Sequence, residues 1–261
     1  MDVFFEQYFD INLMLDELDP VFNGFLQTLL LSIFGGGFAL LWGLVLAVLR
    51  QLPGKVFLPV RALTIAYIDV FRGIPLLLIL LLISGGLGTF AVEGALPEWL
   101  GNPQWLGKPQ PFWYGVMGLT ITYGAYMAEV YRAGIEAVPQ GQMEAARSLG
   151  MSHGQSMRFV IVPQAVRTVI PPLLNDFIAL MKDTSLVSVL GFVEVVQAGR
   201  DVQSEFFNSS ALVLGAIFFL LFTLPLARLV DVLIARQQRK TERGGEAAAQ
   251  PPPTPTGMAG A

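Results

Sequence analysis

Residues 144–150 read EAARSLG, and this polar stretch lies between two strongly apolar segments of the chain. Pro139, just ahead of it, can open a helix because the first helical turn does not need the missing N–H. Residues 140–149 are mostly good helix formers. Gly150 is placed to end the helix in a left-handed conformation. The stretch therefore predicts a short helix that ends in a sharp turn.

A second short helix is predicted directly after that turn. Ser152 and Gln155 have the spacing of a capping box, which starts a helix. Pro163 should disrupt or end that helix, because proline removes a backbone donor. The loop is thus expected to form helix, glycine turn and helix, a unit stiff enough to transmit a push.

The first of these helices has a surface that suits a partner. Ala145 and Ala146 are small and let another surface approach closely. Glu144 and Arg147 lie three residues apart and can pair with each other or with a partner. An amphipathic helix that lies on lipid headgroups is an equally consistent interpretation.

The composition indicates a chain that lies largely in lipid. Of 261 residues, 54% are hydrophobic and 14% are charged, whereas soluble domains carry about 25% charged residues. Spans of about 20 apolar residues cross a bilayer. We predict an all-α integral membrane protein with five spans, at roughly residues 25–49, 60–87, 112–131, 166–190 and 210–234.

Three regions follow from this pattern. Residues 1–20 form an acidic segment, 21–240 the transmembrane domain with its loop at about 132–165, and 241–261 a Pro- and Ala-rich tail that we expect to be disordered. The first 24 residues contain six acidic and no basic residues. Because a secretory signal needs a basic start, we expect this segment to be retained.

The positions of the basic residues predict the orientation. Eleven of the sixteen Lys and Arg residues lie in the first loop, in the third loop or after the last span. These regions fall on one side of the membrane if the N-terminus is outside and the C-terminus is cytoplasmic.

Several kinds of chemistry are excluded or disfavoured. The net charge is −4, so the chain lacks the excess of basic residues that is typical of nucleic-acid-binding proteins. Cysteine is absent, so disulfides and thiolate metal sites are excluded, and a single histidine, His153, argues against zinc sites and a Ser-His-Asp triad.

Ionisable residues inside spans are candidates for a substrate pathway. Asp69 and Arg72 lie one helical turn apart and can neutralise each other. Gly73 and Pro75 should break the helix beside them and expose backbone N–H groups that suit a carboxylate. A structural ion pair that fixes the bend is the alternative.

The fourth span carries a second group of candidates. Asn175 and Lys182 share one helical face, and Asp176 and Asp183 share the neighbouring face. Asn175 and Asp176 could line a site for a zwitterion, or they could bind a sibling helix. Residues 182–185 could instead unwind into a gate or a subunit contact. In the third span we expect a structural pair of Glu129 with Arg132, and Tyr123 and Tyr126 packed between helices.

Together these motifs resemble the permease subunits of bacterial ABC importers. The signature loop of that family is Glu-Ala-Ala, three residues, Gly, nine residues, Ile-x-Leu-Pro. This chain has residues 144–146, Gly150 and then Val160-x-Val162-Pro163, so valine replaces Ile and Leu. Further segments resemble the polar-amino-acid branch: 24–29 (GFLQTL), 71–75 (FRGIP), 131–135 (YRAGI), 139–142 (PQGQ) and 182–186 (KDTSL).

The resemblance covers about residues 20–240 and implies a type I ABC importer-like fold, with a cytoplasmic coupling helix between spans three and four. It implies a multi-pass subunit of the bacterial inner membrane that does no chemistry itself. Its expected partners are a dimer of ATPases, a second permease subunit, identical or sibling, and an extracytoplasmic amino-acid-binding protein. The residues that would couple to the ATPase are Glu144, Ala145, Ala146, Arg147 and Gly150.

The expected function is ATP-driven import of a polar L-amino acid, with glutamate, glutamine or aspartate favoured by the resemblance. ATP and Mg²⁺ would lie on the partner ATPase, and this chain has no G-x-x-x-x-G-K-[ST] phosphate loop and no expected cofactor of its own. The alternative is a secondary transporter driven by an ion gradient, which would explain broken helices and buried charges. That alternative leaves the loop at 132–165 without a role.

Overall fold

The computed structural model describes residues 2–249, and within them the chain is helical, without β-strands. The N-terminal half contains α1 (Asp2–Tyr8), α2 (Ile11–Asp16), α3 (Leu18–Arg50), α4 (Leu58–Gly73), α5 (Leu76–Val92) and α6 (Glu98–Gly101). The C-terminal half contains α7 (Gln110–Glu136), α8 (Gln140–Ser148), α9 (His153–Ser156), α10 (Val162–Asp183), α11 (Val195–Phe206) and α12 (Ser210–Ala249).

Three helical segments of the described chain are long and apolar enough to cross a membrane: Leu18–Arg50, His153–Leu190 and Ser210–Arg236. The pair α4 and α5 adds a fourth if it counts as one broken span, since the two helices meet at 107°. Helix α7, which corresponds to the predicted third span, is not among them. Its buried residues include Gly115, Gly118, Thr122 and Gly124, so protein rather than lipid surrounds much of this helix.

Helix α7 occupies the centre of the bundle. Its buried Leu119 and Met127 belong to the main hydrophobic core, together with Leu31 of α3 and Leu180 of α10. Because lipid tails are as apolar as these side chains, the core stabilises the bundle through van der Waals packing rather than through removal of area from water. Helices α3, α4, α5 and α10 pack on α7, as does the 3₁₀ helix Thr184–Leu190, so α7 contacts most of the bundle.

Gly35 and Gly36 allow close packing of α3 on its neighbours. A Cβ on Gly35 would lie 3.0 Å from Leu119, and one on Gly36 would lie 2.9 Å from Phe177 of α10. Gly37, by contrast, faces open space. Helix α3 therefore approaches α7 and α10 more closely than side chains would permit.

The N-terminal segment is folded onto the start of α12. The Asp10 backbone N–H donates to Ser210 Oγ at 2.9 Å, and Gln7 Nε2 donates to the Phe207 carbonyl at 2.7 Å. At the other end, α12 continues through residues 241–249, where the sequence suggested disorder. The remaining part of that tail, 250–261, lies outside the described residues, and its disorder stays a prediction.

Glu194 is a buried acid that caps α11. Its carboxylate accepts the backbone N–H of Val196 at 3.0 Å and of Gln197 at 2.9 Å, and its side chain is fully buried. Burial raises the pKa of Glu194 to about 7, against the opposing effect of the two N–H donors and of Arg200. The turn before α11 thus contains a carboxyl group that titrates near neutral pH.

Candidate functional site

A polar cavity of about 450 Å³ lies where the bend between α4 and α5 faces α7 and α10. It is lined by residues of all four helices and the bend: Arg72, Gly73, Ile74, Pro75, Leu76, Thr122, Tyr123, Tyr126, Asp176, Ala179 and Asp183. A cavity of this size suits a small organic molecule.

The bend itself forms one wall of the cavity. Pro75 has no N–H and takes an extended conformation (φ −58°, ψ 135°) at the N-cap of α5, which ends the α4 hydrogen-bond ladder there. The N–H groups of Leu76 and Leu77 begin α5 and carry its positive dipole end, whereas those of Leu78 and Ile79 donate to the Pro75 carbonyl. Together with Arg72, they make this wall electropositive.

The opposite wall carries carboxylates. Asp176 Oδ2 of α10 is buried and lacks a hydrogen-bond partner among the described residues, as does Thr122 Oγ1 of α7. Buried polar atoms are nearly always paired, and both of these residues line the cavity. A bound polar molecule would satisfy them.

Asp183 lies seven residues, about two helical turns, beyond Asp176. A side chain of α7 contacts it. Tyr123 donates its hydroxyl to Asp183 Oδ2 at 2.8 Å. Asp183 is the last residue of α10, and the chain continues from it as a 3₁₀ helix over Thr184–Leu190. The unwinding suggested for residues 182–185 is therefore a tightening into a 3₁₀ helix.

Arg72 is oriented by α7 rather than by its neighbour Asp69. Its guanidinium lies 5.5 Å from the ring centre of Tyr126 and 4.0 Å from Glu129 Oε1. The Tyr126 hydroxyl also donates to the Arg72 carbonyl at 3.3 Å. Asp69 is exposed and lies outside the cavity, so the expected pairing of Asp69 with Arg72 gives way to one with Glu129.

Glu129 is the centre of an ion-pair network. It contacts Arg132 on the same helix at 2.7 Å, as its spacing predicts, and it also binds Arg50 at the end of α3. Arg132 binds Glu136 in addition. The network joins α3, α4 and α7, and the Arg50 contact was not apparent from the sequence.

The structure brings together three of the six residues suggested for a substrate pathway. Arg72, Asp176 and Asp183 line the cavity, whereas Asp69, Asn175 and Lys182 are exposed outside it. Thr122, Tyr123 and Tyr126 line it as well, whereas from the sequence we expect the two tyrosines to pack between helices. They lie close together on α7 at positions i, i+1 and i+4. This clustering of hydroxyl groups is the sequence feature that could have indicated a polar cavity.

The loop between α7 and α10 has the helix, turn and helix that the sequence predicts. Helix α8 follows Pro139, and Gly150 takes a left-handed conformation with φ +84°. Ser152 and Gln155 form the capping box: the Gln155 backbone N–H donates to Ser152 Oγ at 3.3 Å, and the Ser152 backbone N–H donates to Gln155 Oε1 at 2.8 Å.

The surfaces of α8 differ in exposure. Glu144, Ala145, Arg147 and Gly150 are exposed, whereas Ala146 is buried at 4% exposure against the loop itself. Ala146 therefore supports α8 from within and is not part of its outer surface. Neither Glu144 nor Arg147 forms an ion pair within the described residues.

Pro163 does not end the second helix of the loop. Helix α9 passes through one π-helical turn, Met157–Ile161, directly into α10, and Pro163 lies in the first turn of α10. The wide turn accommodates the proline, because a missing N–H is tolerated where the hydrogen-bond pattern changes. The loop is thus continuous with the helix that carries Asp176 and Asp183.

The described residues contain no cluster of three or more metal-ligating acids or histidines.

Comparison with known proteins agrees with this architecture. Residues 39–239 match the family described as binding-protein-dependent transport system inner membrane component. The chain is 34% identical over 236 residues to the probable glutamine ABC transporter permease protein GlnM of Bacillus subtilis (strain 168), covering 88% of this chain and 99% of that protein. It is 33% identical over 234 residues to the glutamate/aspartate import permease protein GltK of Escherichia coli O6:H1, covering 89% and 98%.

A solved structure agrees as well. A chain from the crystal structure of an amino acid ABC transporter with histidines superimposes with a TM-score of 0.75 at 35% identity, over 87% of this chain and 98% of that one. The chain therefore belongs to the inner membrane components of binding-protein-dependent transport systems, and within them to the permease subunits of amino-acid ABC importers.

Proposed function

We propose that this permease carries a polar L-amino acid through the cavity between α4, α5, α7 and α10, driven by ATP hydrolysis on a separate subunit. The observation that carries the proposal is Asp176, whose Oδ2 is buried without a partner in a cavity that also contains Arg72. A free amino acid supplies what this pair lacks, since it has an ammonium donor and a carboxylate acceptor.

The two ends of the substrate fit opposite walls. The ammonium group would bind Asp176, with Asp183 and Thr122 nearby as further acceptors. The carboxylate would bind Arg72 and the N-terminal N–H groups of α5, as anions do at helix N-termini. Glutamine, glutamate and aspartate are the first side chains to test, since the relatives GlnM and GltK are named for them.

The α8 loop would dock on the ATPase. Its exposed Glu144, Ala145 and Arg147 form the outer surface, while buried Ala146 and left-handed Gly150 hold that surface in shape. The charges of Glu144 and Arg147 are available for a partner, because neither forms an ion pair with the described residues of the chain. ATP and Mg²⁺ would bind the partner alone.

The proposed architecture has five crossings of the bacterial inner membrane. They are α3, the broken pair α4 and α5, α7, the segment His153–Leu190, and α12. The N-terminus is outside, and α8 and the C-terminus are cytoplasmic, as the basic residues predict. A second permease subunit, two ATPases and an extracytoplasmic binding protein complete the importer.

The test is reconstitution of the permease with its ATPase and binding protein in proteoliposomes. We expect amino-acid uptake to require ATP on the side of the membrane that carries the ATPase. Collapse of sodium and proton gradients should leave this uptake unchanged. A screen of the protein amino acids for stimulated ATPase activity would identify the substrate. Uptake that follows an ion gradient without ATP would establish the secondary-transport alternative instead.

A further inference from the structure

A second large cavity lies on the side of α7 that faces away from the polar cavity. It is an apolar groove of about 610 Å³ between α3 and α7. Leu41 and Val45 form its α3 wall, and Val116 and Met117 contribute to its α7 wall. On α7, Val116 and Met117 lie on a different face from Tyr123 and Tyr126, which line the polar cavity.

The polar side-chain groups of Trp42 and Thr120 in the groove are already satisfied. The Trp42 indole N–H donates to the Tyr67 hydroxyl at 2.9 Å, and that hydroxyl donates to the Ile121 carbonyl at 3.0 Å. Thr120 Oγ1 donates to the Val116 carbonyl at 2.7 Å. The groove therefore offers carbon surface alone, and a polar substrate gains nothing there.

A small polar recess adjoins the groove at Trp105. Trp105 lines both the groove and this recess of about 350 Å³, whose other lining residues are Trp99, Asn102 and Gln104. The Trp113 indole N–H donates to the Trp105 carbonyl at 3.0 Å, which fixes the junction. None of the residues that line the recess is charged.

The tryptophans mark the membrane depth of this junction. The rings of Trp99 and Trp105 are 6.2 Å apart, and those of Trp105 and Trp113 are 5.2 Å apart. All four tryptophans of the chain line the groove or the recess. Tryptophan is enriched where hydrocarbon meets headgroups, so the groove lies at the depth of acyl chains and the recess at that of headgroups.

We infer that the groove and the recess together bind one diacyl phospholipid, in the leaflet nearer the 93–109 connection. An acyl chain occupies the groove, and the headgroup and ester oxygens lie in the recess beside the amides of Asn102 and Gln104. The arrangement selects an amphiphile, because an apolar slot and a polar recess adjoin at Trp105. The uncharged recess binds the headgroup by hydrogen bonds, so the site does not select for net lipid charge.

Native mass spectrometry of the purified permease complex tests this site. The complex is equilibrated in mixed micelles with palmitoyl-oleoyl phosphatidylethanolamine or phosphatidylglycerol and then delipidated stepwise. We expect one lipid per copy of this chain to persist, to a similar extent for both lipids. Val45→Phe and Leu41→Phe fill the groove and should abolish retention of the lipid; Leu41 is the more exposed of the two. The matched control is Val48→Phe, on the exposed surface of α3 outside the groove. This variant should retain the lipid.

Two results would overturn the inference. One is equal lipid retention by the parent, by both groove variants and by Val48→Phe. The other is an efficient disulfide between two copies of a Leu41→Cys variant in native membranes, which is a clean assay because the chain has no cysteine. That disulfide would show that a second copy of the chain covers the groove.

Discussion

The hydroxyl of Tyr123 donates to Asp183 Oδ2 at 2.8 Å and so joins the middle of α7 to the end of α10. Both residues line the polar cavity. The bond leaves the second oxygen of Asp183 for another donor, and it ties the central helix of the bundle to the point where α10 becomes a 3₁₀ helix. The state of this bond should therefore affect both the stability of the bundle and the binding of substrate.

Removal of the Tyr123 hydroxyl should destabilise the protein and weaken transport. Tyr123→Phe leaves the Asp183 carboxylate without its donor, a loss of about 1–3 kcal/mol. We expect a lower thermal midpoint in nanodiscs and a higher substrate concentration for half-maximal ATPase stimulation. Tyr131→Phe is the control, because Tyr131 is also on α7 but makes a long bond of 3.4 Å to the Leu40 carbonyl. Equal effects of both variants would argue against a specific role for the Tyr123 bond.

Asp176 should be required for substrate binding more than for folding. Asp176→Asn removes the charge that the proposed ammonium contact needs, and a charge-assisted hydrogen bond contributes about 1.5–3 kcal/mol, or roughly ten- to a hundredfold in affinity. We expect uptake to fall by such a factor while the thermal midpoint is maintained or rises. Asp69→Asn, an exposed acid outside the cavity, should transport normally. Unchanged uptake by Asp176→Asn would make this residue part of the scaffold.

The α8 loop should be required for coupling. In Gly150→Asp a side chain must adopt φ +84°, which costs about 1–2 kcal/mol, and Glu144→Lys reverses a charge on the exposed surface. The double variant should insert into the membrane normally yet show ATP hydrolysis that is no longer stimulated by substrate and no longer drives uptake. Gly141→Ala is the matched control, since its Cβ enters open space on the same helix. Normal transport by the double variant would contradict the docking role of this loop.

Glu194 should make the stability of the protein depend on pH. Its folded pKa of about 7 lies above the value of about 4.3 for an unfolded glutamate, so in this window the folded state holds a proton that the unfolded state has released. The free energy of unfolding should consequently fall as pH rises from about 4 to about 7 and level off above it. Thermal midpoints across this range should decline for the parent and stay flatter for Glu194→Gln. Glu205→Gln, an exposed acid on the same helix, should follow the parent.

Short-range features were the most predictable from sequence. The α8 helix, the left-handed Gly150 and the Ser152 capping box follow rules that span a few residues, and all three are present. The shared helical face of Asp176 and Asp183 likewise survives, since it depends on helix geometry alone. The membrane character of the chain was equally evident from its composition.

Features that depend on tertiary contacts were less accessible. Sequence spacing favoured Asp69 as the partner of Arg72, but Glu129 and Tyr126 approach Arg72 from a different helix. Tyr123 and Tyr126 could not be assigned to a cavity, because periodicity shows which residues share a face but not what that face meets. Pro163 suggested that the second helix is disrupted or ends, and the structure has a π-helical turn just before Pro163 and no helix end.

The uninterrupted path from His153 to Leu190 has a mechanical consequence. From the glycine turn to Asp183 there is no flexible connection, and at about 1.5 Å per residue this path measures roughly 45 Å. A slight tilt imposed at one end must appear as a larger sideways displacement at the other. The path can yield at the five residues of the π-helical turn and at Pro171 and Pro172 inside α10, where backbone hydrogen bonds are missing. With α8 docked on the ATPase as proposed, mutations that soften or straighten that turn should change how much of the ATPase motion reaches the proposed substrate cavity, without altering the residues that would bind nucleotide or substrate.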